Sequence, residues 1–167
     1  MHGFDPPPPK RPFGVQDFKA GMRKLAAAVT LITVYGPEGR NGLTATAVCS
    51  VSAEPPHLLC CINRTATAFA TLRRVKLFAV NVLKPEHQAL AERFARPPAG
   101  EDRFADGAWT MGPAGSPVLE SALVWFECRL TNLSEVGSHG IALGLVTSCG
   151  FEDGRHLLYA DGTYQAL

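Results

Sequence analysis

Asn41-Gly42-Leu43-Thr44-Ala45-Thr46-Ala47-Val48-Cys49-Ser50-Val51-Ser52, closed by Pro55-Pro56, decides how this chain is read. Small and hydroxyl side chains fill the stretch, yet strand-like apolar runs flank it at residues 29–35 and 57–63. On a strand, Thr44 and Thr46 face one side and Leu43, Ala45 and Ala47 the other. Side chains this short let a flat ring lie against the backbone, whose N–H and C=O groups can bond the ring's polar edge. The plain structural reading is an edge strand that uses threonine for its β propensity. The pattern of the stretch alone favours that plainer reading.

Working outward, residues 17–28 read as a short helix. Phe18, Met22, Leu25 and Val29 recur at spacings of four, three and four, which places them on one face. Gly36-Pro37-Glu38-Gly39 is a turn. Pro55-Pro56 interrupts the ladder because neither residue donates a backbone hydrogen bond. Residues 65–75 form a helix with Ala66, Phe69 and Leu72 on one face, and Arg73, Arg74 and Lys76 suit its negative end. Residues 77–83 form a strand, and Pro85 opens a further helix with Leu90, Ala91 and Phe94 on its apolar side.

Residues 96–117 read as a long loop held by Phe104, Trp109 and Met111, and long ordered loops are often functional. Three β segments follow, at 122–133, 139–151 and 157–167, with Asp153-Gly154 and Asp161-Gly162 as hairpin turns. About seven strands, mostly consecutive and joined by hairpins, argue against a parallel α/β sheet. They predict a mainly β fold, an antiparallel barrel with short helices at its ends. Residues 15–167 form one domain, and residues 1–14, with five prolines, form an extended tail.

Composition narrows the function classes. The 167 residues carry a formal net charge of +1, too little for a broad nucleic-acid surface but no bar to a small anionic ligand. No apolar run approaches the ~18 residues of a membrane span. The five cysteines are odd in number and include no Cys-x-x-Cys pair, so they read as buried thiols of a cytoplasmic, reducing compartment. Neither a disulfide framework nor a zinc site is expected. Dinucleotide-binding, Walker and nucleophile-elbow patterns are missing, and no His-Glu-x-x-His pair occurs.

Three further places could hold chemistry. Asn63-Arg64-Thr65-Ala66-Thr67 lies between a strand and a helix, where hydroxyls, free N–H groups and Arg64 suit a phosphate. The plain reading there is helix capping by Asn63 or Thr65. Glu135-Val136-Gly137-Ser138-His139-Gly140 puts His139 at the start of a strand, where it can reach a pocket mouth. Arg103-Phe104 sits in the long loop, and its plain reading is an aromatic anchor beside a solvated arginine.

Taken in order, these places resemble the flavin reductase family with the FMN-binding split-barrel fold. These are the small reductase components of two-component monooxygenases. The resemblance runs from Phe18 to Leu167. Phe-Lys-x-x-Met-Arg comes first, then Gly-Leu-Thr-Ala-Thr-Ala-Val-Cys-Ser-Val-Ser with Pro-Pro, then Cys-Ile-Asn-Arg-Thr. Phe78-Ala79-Val80-Asn81-Val82-Leu83, Glu92-Arg93-Phe94, Arg103-Phe104 and the Gly-Ser-His strand follow. Gly144-Leu145-Val146 and Leu158-Tyr159 with Tyr164 end the series. Each motif is weak alone; their order is specific.

The resemblance implies a split β-barrel and an NAD(P)H:flavin oxidoreductase. It would reduce FMN or FAD with NADH or NADPH and supply a partner monooxygenase. A relative of the same fold would instead reduce a corrinoid cobalt or an iron complex, and a non-catalytic flavin carrier is the third reading. Thr44, Ala45, Thr46 and Ala47 would bind the flavin ring, with Ser50 near the ribityl chain. Asn63, Arg64, Thr65 and Thr67 would surround the phosphate. His139 would face the nicotinamide, and Arg103 with Phe104 would close the site. Tyr164 belongs to the same cofactor-binding set. A homodimer with the flavin near its interface is expected, with neither metal nor nucleic acid. Ser138 stands where the family often has Asp, and Leu145 where it often has Arg.

Overall fold

A computed structural model describes residues 12–97 and 100–167, so most of the expected tail, residues 1–11, lies outside the described residues. The order is α1 (Val15–Met22), β1 (Ala27–Ala28), β2 (Thr30–Gly36), β3 (Gly39–Ala45), β4 (Val48–Ala53), β5 (Pro56–Asn63), α2 (Thr67–Val75) and β6 (Leu77–Val82). A 3-10 turn, Pro85–His87, leads into α3 (Gln88–Ala95). Then come β7 (Trp109–Met111), β8 (Pro117–Leu119), β9 (Val124–Val136), β10 (His139–Phe151), β11 (Leu157–Ala160) and β12 (Thr163–Ala166).

Seven strands form one antiparallel sheet in the order β3-β2-β6-β9-β10-β5-β4. Its two edges, β3 and β4, are separated in the chain by Thr46 and Ala47 alone. The sheet must therefore curl until its edges meet at those two residues. No ladder joins β3 to β4 among the described residues, so the expected barrel is curled but its hydrogen bonding does not close. The Cys61 N–H donates to the Ala47 carbonyl, 2.9 Å away, which carries the β4–β5 pairing one residue into the joint.

β2 shows why the sequence folds this way. Its apolar run is nearly continuous because both faces are covered. Ile32 and Val34 enter one core with Ile62, Phe69, Leu72 and Phe78, under α2. Leu31 and the preceding Val29 enter a second with Leu90, Phe94, Phe104 and Leu119, under α3. Gly42 is required where the two systems touch. A Cβ there would lie 2.7 Å from the Ile32 carbonyl oxygen and 2.8 Å from the Phe94 ring. β8 is tied to the sheet by Asn81, whose Oδ1 accepts the Leu119 N–H at 2.8 Å while its Nδ2 donates to the Leu31 carbonyl at 3.2 Å. Glu127, fully buried on β9, accepts the N–H groups of Ala114 and Ser116 and the Ser148 hydroxyl. It fixes the loop between β7 and β8.

Several expectations are corrected. The first helix ends at Met22, and Ala27-Ala28 pair with Leu158 and Tyr159 instead of extending it. Phe18 and Met22 share a face of α1, but that face is exposed; Leu25 lies beyond the helix and is exposed too, whereas Val29 is buried. The loop at 96–117 contains β7, and Met111 is exposed rather than an anchor. Asp161-Gly162 does turn a hairpin, with both φ angles positive (52° and 85°). Asp153-Gly154 does not, because the chain there passes from the seven-stranded sheet to the separate β1-β11-β12 sheet. Cys60 and Cys128 are buried, but Cys49 and Cys149 are exposed; all five thiols are free.

Candidate functional site

The point where the sheet edges meet opens into a cleft of about 850 Å³. Thr44, Ala45 and Thr46 form one wall, the outer side of α3 with Glu92, Arg93 and Arg96 another, and Tyr159 and Tyr164 of the β11–β12 hairpin a third. The alternation read from the sequence holds from Leu43 to Ala45, where β3 ends; Thr46 and Ala47 lie beyond the strand. Leu43 and Ala45 pack against the core under α2, while the Thr44 hydroxyl donates to the Ala91 carbonyl of α3 at 2.6 Å. Thr44 is thus spent on joining β3 to α3, whereas Thr46 and Ala47 are exposed. Their backbone N–H groups have no backbone acceptor among the described residues. The wall is therefore short-chained, with unspent amides, as a flat heteroaromatic ring requires.

Tyr164 faces Tyr159 edge to face, with ring centroids 5.1 Å apart. Burial, with Glu92 and Tyr159 adding to it, pushes the Tyr164 phenol above its usual range. It therefore stays protonated at neutral pH and presents a donor.

A second group gathers beyond the end of β5. The Asn63 Oδ1 accepts both the Thr65 N–H, at 3.0 Å, and the Thr65 hydroxyl, at 2.9 Å. The helix cap is Ala66, so neither Asn63 nor Thr65 caps α2 as expected. Thr67 opens the helix; the Ala66 and Phe69 amides bond the Asn63 and Ala66 carbonyls, which leaves those of Thr67 and Ala68 without a backbone acceptor among the described residues. His139 pairs with Asn63 in the ladder, which places it at this end of the site. Its Nδ1 lies 2.9 Å from the Ser138 hydroxyl, so Ser138 orients the imidazole. Arg64 is spent on the same turn. It makes an ion pair with Glu135 at 2.6 Å and donates to the Gly137 carbonyl at 3.0 Å.

The two groups are neighbours. Ala47 is bonded to Cys61, and Asn63 lies two residues further along β5, about 7 Å away. Ser50 stands apart: it pairs with Leu58, five residues back along β5 from Asn63, or about 17 Å. Arg103 donates to the Gly42 carbonyl and braces β3 from behind. Phe104 does not reach the cleft. It is 4% exposed, packed between Phe94 and Trp109, with the Arg40 guanidinium over its ring. Leu145 pairs with His57 and Arg129, well along β10 from His139.

Glu92, Arg96 and Tyr159 were missed as cleft residues. The signal was present on α3: Ala89, Glu92, Arg93 and Arg96 recur at helical spacing opposite Leu90, Ala91 and Phe94. Arg93 is held by Glu101 and Asp106, but Arg96 makes no ion pair among the described residues. Among the described residues no three His, Cys, Asp or Glu side chains converge as a metal site would need. No pair of facing carboxylates lies in the cleft, so its equipment suits binding and orientation rather than acid–base hydrolysis.

Comparison with known proteins agrees with this geometry. Residues 22–167 match the flavin reductase like domain family. The chain is 42% identical over 159 residues to "FMN reductase (NADH) RutF" of Methylorubrum extorquens, covering 93% of this chain and 77% of that protein. It superimposes on the NADH:FAD oxidoreductase SgcE6 of Streptomyces globisporus C-1027 with a TM-score of 0.85 at 30% identity. That alignment covers 94% of this chain and 96% of the other. BorF, the flavin reductase component of a bacterial two-component tryptophan halogenase, gives a TM-score of 0.84 at 30% identity, covering 92% and 98%.

Proposed function

The chain belongs to the flavin reductase like domain family and is a flavin reductase, and from that premise we propose that it reduces FMN with NADH and passes the reduced flavin to a partner oxygenase. The observation that carries the reading is the cleft wall at residues 44–46, with its short side chains, and the unspent amides of Thr46 and the adjoining Ala47. The relative from Methylorubrum extorquens supports FMN and NADH, and BorF supports a two-component partner. The curled, unclosed sheet is taken as the split barrel of this family.

The residues fit a flavin. Ala45, Thr46 and Ala47 leave room for an isoalloxazine ring, and the turn at 63–67 lies one strand away, where a phosphate on a short chain would reach. A bound flavin supplies the hydride-accepting ring position. The chain's own part is positional. The wall at 44–47 holds the ring flat, and the Thr46 and Ala47 amides offset negative charge gathering on it. Tyr164 donates from the opposite wall, and α3 shields the cleft from water. His139, oriented by Ser138, borders the phosphate end and faces the incoming nicotinamide. The Asn63 Nδ2, the Thr67 hydroxyl and the Thr67 and Ala68 amides would hold the phosphate, with Thr65 fixing the Asn63 side chain through its own two donors. No strong acid or base is needed for hydride transfer, in keeping with this equipment.

A second copy of the chain is part of the reading. α1 buries none of its residues, and Phe13, Val15, Phe18, Met22 and Leu25 leave an apolar face uncovered. A homodimer would cover it. Free thiols suit a reducing compartment.

Anaerobic mixing of the FMN-loaded protein with NADH tests the reading. The flavin absorbance should bleach, and Thr46→Arg should abolish FMN binding without moving the urea midpoint, because Thr46 is exposed. The reading fails if neither NADH nor NADPH bleaches the flavin, or if Thr46→Arg binds FMN as the parent does.

A further inference from the structure

A length of free strand edge lies inside the seven-stranded sheet. β6 stops pairing with β9 at Leu77 and Arg129, and the Leu130 N–H makes one further bond, to the Lys76 carbonyl at 2.9 Å. β9 runs on to Val136, and over residues 131–136 its ladder is with β10 alone among the described residues. Val136 and His139 flank the two-residue turn Gly137-Ser138, so Val136, Ser134 and Asn132 exchange their hydrogen bonds with β10. The backbone N–H and C=O groups of Leu133 and Glu135 therefore point to the open side.

Beside this edge, a groove of about 560 Å³ separates β9 from the C-terminal half of α2. Arg73, Lys76 and Arg129 line it, with Glu135 as its one carboxylate. Glu135 is already engaged, 2.6 Å from the Arg64 guanidinium and 3.5 Å from that of Arg73. Lys76 and Arg129 make no ion pair among the described residues. The negative end of α2 accounts for basic residues on the helix but not for Arg129, which stands on a strand beside Leu77. Lys76 also holds a left-handed backbone, φ 62°, that glycine adopts more easily.

These features select the occupant. A phosphate only accepts hydrogen bonds, whereas the open edge offers donors and acceptors in alternation, as another backbone requires. The unpaired cations call for carboxylates on that backbone. They also repel the same edge of a second copy, as charges on free strands commonly do. We propose that residues 131–136 of β9 take up an extended acidic segment of a partner protein as an added strand, with its carboxylates on Lys76 and Arg129. The choice of partner rests on the function proposed above: it is the oxygenase that receives the reduced flavin. Arg64 of the 63–67 turn shares Glu135 with Arg73 of the groove, so a docked segment lies beside the phosphate end of the flavin site.

The probe is a blocked peptide of alternating glutamate and valine, tested on the full chain. The double variant is Lys76→Glu/Arg129→Glu, with Lys76→Met/Arg129→Gln as a milder second. Both positions are exposed, so circular dichroism and urea midpoints should match the parent. Calorimetry should show the parent binding the peptide and the charge-reversed variant binding it at least about tenfold more weakly. The same peptide N-methylated throughout keeps its charge and loses its backbone donors, and it too should bind at least about tenfold more weakly. Hydrogen exchange at the Leu133 and Glu135 amides should slow in the complex. NADH oxidation with FMN should stay within about twofold of the parent in both variants. Equal binding of the N-methylated peptide, or of the parent peptide to the folded charge-reversed variant, overturns the proposal. So does protection of the two amides before peptide is added, which would place a second copy on the edge. Peptide binding by a protein that FMN and NADH leave untouched upholds the edge and removes the flavin reading alone. An active flavin reductase that ignores the peptide removes the edge alone.

Discussion

Two single residues carry consequences well beyond their size. His87 is buried beneath the 3-10 turn. Its Nδ1 accepts the Lys84 backbone N–H at 3.2 Å and its Nε2 lies 3.0 Å from the Ser121 hydroxyl. Burial holds the imidazole below its usual range, with Lys84 helping and Glu86 and Glu152 opposing. The unfolded chain therefore takes up the proton first. This contribution is whole above about pH 6.5 and is lost as the pH falls from there toward the folded value. The urea midpoint should drop as the pH falls below about 6.5, and His87→Gln should flatten that slope. Gly42 is the other. With backbone and the Phe94 ring both inside normal contact of a Cβ, Gly42→Ala should cost about 1–3 kcal/mol, measured by urea unfolding. A parent-like midpoint would show that α3 can back away from β3.

Among the elements, α1 is the clearest case of a pattern whose partner the described residues do not supply. Its apolar spacing is helical, yet Phe18 and Met22 are 55% and 49% exposed. Phe18→Asp/Met22→Asp should shift the protein from dimer to monomer in light scattering and leave the urea midpoint of the monomer nearly unchanged. A monomeric parent would remove the assembly from the reading. Elements governed by their own periodicity were legible in the sequence. β2 and β5 announce themselves as apolar runs, α2 by Phe69 and Leu72, and the last hairpin by Asp161-Gly162. Asp153-Gly154 misled because the fate of that segment is set from afar. The Glu152 N–H bonds the Leu123 carbonyl and the His156 N–H bonds that of Leu167. Phe104 misled for the same reason, since only folding shows that Phe94 and Trp109 enclose it. The cleft wall at 44–47 was visible as a composition. What no local pattern conveys is that it joins the two edges of a seven-stranded sheet.

For the whole molecule, that joint governs shape and site together. Three peptide steps from Ala45 to Val48 span at most about 11 Å. The curl of the entire sheet is held within that reach. The consequence is genetic. One glycine inserted between Thr46 and Ala47 should slacken the joint, let the edges part and cut the yield of folded protein. The same insertion between Pro37 and Glu38, both exposed, should be better tolerated, because that turn joins two neighbouring strands and Glu38 meets α2 through an exposed ion pair with Arg74. Soluble yield and urea midpoints of the two insertions decide the matter; equal tolerance would mean the curl is set elsewhere. As descendants of this sequence drift, then, length should vary at the outer turns and stay frozen at these two residues, even where the side chains themselves change.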